Sequence, residues 1–126
     1  MQHISSPDGQ QKITIITNDT LRYIIDGYTD VVPKENYIKL DISAVPVEGD
    51  EVVGCWATNN YQWYLCYDES KIIEDRLDKT KFKFEAHFPI KDGIPTIKSF
   101  FRPDCFTFSF DYGELAMKRG DVIIMD

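Results

Sequence analysis

The sequence predicts a mainly β fold: an antiparallel β-sandwich or partly open barrel of about eight strands, with one short helix near 70–79. Three observations predict it. Apolar and polar residues alternate with period two in run after run, most cleanly in Tyr37-Ile-Lys-Leu-Asp-Ile-Ser43, as a strand with one buried face requires. Turn signals separate the runs at roughly 8–12-residue intervals, with no alternation of strand and helix. Aromatic residues make up 13% of the chain, and flat rings pack well on a pleated surface.

The elements follow in order. Residues 1–11 are polar, carry Pro7 and Gly9, and read as a flexible N-terminal tail. Residues 12–17 and 21–26 read as two strands joined at Asn18-Asp19. Residues 37–43 make the next strand, with Ile38, Leu40 and Ile42 on one face. Residues 52–58 and 61–67 flank Asn59-Asn60, a pair that tolerates positive φ and closes tight hairpins. This pairing brings Cys55 and Cys66 onto neighbouring strands. Residues 68–79 carry the helix signal: Ser70 as cap, Glu74 in the first turns, and Ile72, Ile73 and Leu77 as a short apolar side. Phe82, Phe84, Ala86 and Phe88 then alternate with Lys83, Glu85 and His87, and Asp92-Gly93 turns the chain into a return over 96–101. Phe106, Phe108 and Phe110 mark another strand, and residues 115–117 and 122–125 a last hairpin. All eight phenylalanines fall between 82 and 110, so the C-terminal strands are expected to build the core.

A chain of 126 residues is read as a single domain, 1–126, large enough for one core without metal or disulfide support. No apolar run approaches the ~20 residues that span a bilayer, and residues 1–11 lack the apolar stretch of a signal peptide. Cys55, Cys66 and Cys105 are odd in number and show no metal spacing. The expectation is reduced, buried thiols, a cytoplasmic location, and neither metal nor cofactor. Catalytic signatures are missing too. There is no Gly-rich phosphate loop and no G-x-S-x-G elbow, and Cys66 with His87 is a thiol–imidazole pair set in an apolar run. The chain is therefore read as a non-enzyme.

The net charge of −7 lies in one stretch. Residues 41–78 hold nine acids against two bases, together with both tryptophans and Tyr61, Tyr64 and Tyr67. That sign excludes nucleic acid as a partner, since phosphate backbones need a basic stripe. Acids beside large rings suit a basic protein partner, because Tyr and Trp dominate interface energetics. The candidate partner-binding residues are Glu48, Asp50, Glu51, Trp56, Tyr61, Trp63, Tyr64, Asp68 and Glu69. Alternation places Tyr61, Trp63, Leu65 and Tyr67 on one face of their strand and Gln62, Tyr64 and Cys66 on the other.

In size, charge and lack of catalytic motifs the chain resembles the small acidic immunity proteins of bacterial contact-dependent growth inhibition and related competition systems. The resemblance implies a cytoplasmic inhibitor that binds a basic toxin domain, such as a nuclease, with electrostatic steering. It carries over no residue. The alternative reading is a small-ligand-binding β-barrel with an aromatic-lined cavity.

Overall fold

The structure, a computed structural model, describes residues 1–6, 8–57, 63–87, 90–91, 94–95, 105–110, 114–118 and 123–125. The described residues form thirteen strands: β1 (Gln2–Ser5), β2 (Lys12–Asn18), β3 (Leu21–Asp26), β4 (Tyr37–Asp41), β5 (Glu51–Cys55), β6 (Trp63–Cys66), β7 (Lys71–Asp75), β8 (Phe82–Glu85), β9 (Ile90–Lys91), β10 (Ile94–Pro95), β11 (Cys105–Ser109), β12 (Glu114–Lys118) and β13 (Ile123–Met125). They form a six-stranded sheet in the order β13-β1-β2-β3-β4-β7, a five-stranded sheet in the order β12-β11-β5-β6-β8, and the small pair β9-β10.

The two large sheets share one core, so the architecture is a sandwich. Ile4, Ile13, Ile15, Ile24, Ile38 and Leu40 come from the six-stranded sheet; Val52, Trp63, Leu65, Phe82, Phe106 and Phe108 come from the five-stranded one, and all are buried together. Alternation explains both sets. Ile38 and Leu40 point inward while Tyr37, Lys39 and Asp41 stay half-exposed. Phe84 and Phe110 pack partly buried against the same core; Phe88 lies outside the described residues.

All large-sheet pairings are antiparallel except that of β6 with β8. The exception follows from the chain path. Between β6 and β8 the chain crosses to the other sheet, lays down β7 beside β4, and returns, so β8 enters in the same direction as β6.

Four expectations are corrected. The helix near 70–79 is not formed: residues 71–75 are strand β7, and among the described residues there is no helix. Two adjacent β-branched residues, Ile72 and Ile73, favour extended backbone, and the open edge of β4 offers it hydrogen bonds. Ser70 does not cap; its hydroxyl bonds to the carbonyl of Tyr67 at 2.6 Å and closes a turn with Glu69 at φ 64°. The expected tail is also ordered. β1 lies between β13 and β2, with Ile4 fully buried. The last hairpin is not formed by the described residues: β12 joins β11 and β13 joins β1, in different sheets. Finally, the thiols are not all reduced. Cys55 and Cys105 are direct register partners on β5 and β11 and form a disulfide, while Cys66 is free and buried.

The sheets are also clasped by polar groups. Arg22 on β3 is 5% exposed. Its guanidinium donates to Asp50 at 2.6 Å, to the Tyr67 hydroxyl and, through Nε, to the Thr17 hydroxyl at 2.9 Å. It lies 3.8 Å from the centroid of the Phe110 ring. The Tyr67 hydroxyl also donates to Asp50.

Candidate protein-binding face

The outer face of the five-stranded sheet can be laid out from its register. Val52, Leu65 and Phe108 face the core, so their neighbours Glu51, Val53, Cys55, Tyr64, Cys66, Thr107 and Ser109 face outward. Pairing then fixes the rows across β11, β5, β6 and β8. One row is Cys105, Cys55, Tyr64 and Lys83; the next is Thr107, Val53, Cys66 and Glu85. Ser109 pairs with Glu51. Just past the ends of β6 and β8, His87 Nδ1 lies 3.9 Å from Asp68 Oδ1.

Three half-exposed acids belong to these strands and their ends: Glu51 at the start of β5, Asp68 two residues beyond Cys66, and Glu85 opposite Cys66. Exposed Glu48 lies in the loop leading into β5, and exposed Glu69 in the turn after β6. Exposed side chains lie against two of these acids: the His87 ring by Asp68, and the Lys83 ammonium at 3.8 Å from Glu85. Tyr64 is half-buried on the same face, two residues before Cys66 and in the row of Lys83. Burial pushes the Cys66 thiol up to about 12, and the charges of Asp68 and Glu85 add to the shift against the opposing Tyr64 bond. Burial likewise raises the Tyr64 phenol, with Cys66 and Glu85 adding to it. A thiol held this far from ionisation is a poor nucleophile, so the Cys66/His87 pairing offers no thiolate. Among the described residues, no three His, Cys, Asp or Glu side chains gather as a metal site.

No known protein family, no curated protein and no solved structure matches this chain. The site therefore rests on its own geometry.

That geometry divides the residues expected from the sequence. Tyr64 and Glu51 are half-exposed at outward positions of β6 and β5, Asp68 and Glu69 lie in the turn after β6, and Glu48 is exposed in the loop before β5. Asp50 does not join them as a rim charge; it is drawn into the Arg22–Tyr67 clasp with its side chain 18% exposed. Trp56 and Trp63 are core residues, 4% and 2% exposed. Their rings meet edge to face at 4.8 Å, and Phe106 and Phe82 each lie 5.0 Å from one of them. Rings on both faces of β6 suggest an interface, but the inner set is what fills the sandwich. Tyr61 lies outside the described residues. The four remaining acids of the 41–78 stretch sit elsewhere and are locally engaged: Asp41 with the Ser43 amide, Glu74 with Arg76 and the Tyr37 hydroxyl, Asp75 with Lys79, and Asp78 with Thr80.

Sequence reasoning missed Lys83, Glu85 and His87 as members of the face. The signal was present, since all three alternate on the polar side of their run. What was lacking was the parallel pairing that sets β8 beside β6.

Proposed function

We propose that this chain is a non-enzymatic, immunity-type inhibitor that neutralises a basic toxin domain by docking it on the part of the five-stranded sheet left open to solvent, the strip of β6, β8 and their adjoining turns that carries Tyr64, Asp68, Glu69, Lys83 and Glu85. The observation that supports the reading is the solvent-open acids of this region: Glu85 is the register partner of Cys66, Asp68 and Glu69 follow β6 directly, Glu51 opens β5, and Glu48 is exposed in the loop before it. Such an acidic rim steers a cationic partner and sets its association rate, while the ring supplies desolvated contact area. A second observation favours a protein partner over a small apolar ligand: the tryptophan and phenylalanine rings that would line a cavity stack on one another between the sheets.

The test is co-expression with a basic toxin domain recovered by co-purification from the native host, followed by binding kinetics on the purified pair. Protection from the toxin is expected. The quadruple variant Glu48→Lys, Glu51→Lys, Asp68→Lys, Glu69→Lys should slow association at least tenfold at low ionic strength and flatten its salt dependence, since these charges are screened over about 10 Å at 0.1 M salt. An unchanged rate and an unchanged salt slope would remove this face from the interaction.

A further inference from the structure

The Cys55–Cys105 bridge sits in an unusual layer. Cys55, Cys105, Val53, Thr107 and Ser109 all face away from the shared core, yet each is no more than 2% exposed. The layer is built from short side chains, so it gains less dispersion and apolar burial than the inner face does. β5 carries a glycine inside the strand, Gly54, directly opposite Phe106, and a strand-interior glycine weakens pairing. The third cysteine, Cys66, lies in the same layer, two residues from the row of Cys55.

We propose that forming the Cys55–Cys105 bridge is a maturation step for this fold, which places its working compartment among the oxidising ones. The step is a two-electron oxidation. Each thiol loses a proton and the sulfurs join, while the S–S bond of a disulfide-class oxidant, either a small disulfide or a dithiol oxidoreductase, breaks and leaves as two thiols. The bridge closes a loop with a sequence separation of 50, so the unfolded chain loses much of its freedom when it forms. Once folded, both sulfurs are out of reach of solvent reductants. Cys66 cannot reshuffle the bridge readily, because its buried thiol lies beside Asp68 and Glu85 and resists ionisation. This inference does not rest on the inhibitor reading.

Maleimide labelling and melting with and without dithiothreitol test it. Protein incubated with glutathione disulfide should show no reactive thiol when native and one when unfolded; after reduction, three should appear on unfolding. Reduction should lower the melting temperature by on the order of 10 °C or abolish the transition. Cys66→Ser should retain the full difference. The Cys55→Ser/Cys105→Ser variant should melt like the reduced parent in either buffer. Three free thiols after the oxidised incubation, or one melting temperature in both redox states, would overturn the proposal; the parent chain alone decides this.

Discussion

A methyl group on Gly54 would lie 2.6 Å from Cζ and 2.8 Å from Cε1 of Phe106. The Phe106 ring therefore lies across β5 because that position has no side chain. Gly54→Ala should cost about 1–3 kcal/mol through overpacking, measurable by urea denaturation. Asp50 is the second residue where a local reading and the fold part company. An acid in an acidic loop looks solvated, yet its partner Arg22 comes from the other sheet, 28 residues earlier. Asp50→Asn keeps the shape but strands a buried guanidinium, so a loss of about 3–5 kcal/mol is expected in the same assay. Trp63 belongs with these two. Alternation along β6 separates its face from that of Tyr64, but alternation cannot say which face is buried when both carry rings. Trp63→Ala should lower stability by about 3–5 kcal/mol, whereas Tyr64→Ala should act mainly on partner dissociation.

Elements with one clearly apolar face were legible: β2, β3, β4 and β11 lie where period-two runs of Ile, Leu and Phe put them. β1 and β7 were not, for opposite reasons. β1 offers a single large apolar residue, Ile4, and its membership depends on partners at both ends of the chain. β7 carries two isoleucines in a spacing that a short helix also tolerates. It ends up as an edge strand with Ile72 and Ile73 at 41% and 49% exposure, and its ladder with β4 is interrupted by a register shift at Lys39/Leu40. Such an irregularity, with Lys71 at the strand's start, blunts an edge against stray pairing. Replacing both isoleucines with threonine keeps the extended preference and should change stability by no more than about 0.5 kcal/mol per site. Leu77→Ala, just beyond the strand and 6% exposed, should cost about 2–5 kcal/mol. Chemical denaturation of both variants separates the two outcomes.

Across the whole molecule, the acidic middle third of the sequence does not map to one surface. β5 and β6 carry part of it into the five-stranded sheet, and β7 carries the rest to the far edge of the other. Charge bookkeeping along a sequence finds the excess, but only the crossing of β7 shows that the excess is split. The same non-local wiring sets the folding problem. Sheets made of distant segments form slowly, in milliseconds to seconds for domains of this kind. β1 receives β13 on one side and β2 on the other, with His3 opposite Met125 and Ser5 opposite Ile123. Removing residues 123–126 should leave β1 as a bare edge, and amide exchange at His3 and Ser5 should accelerate while β3 and β4 stay protected. During synthesis, then, β1 must wait for residues 123–125 to leave the ribosome, and a chain stalled before them presents residues 2–5 to any other chain with a free strand to offer.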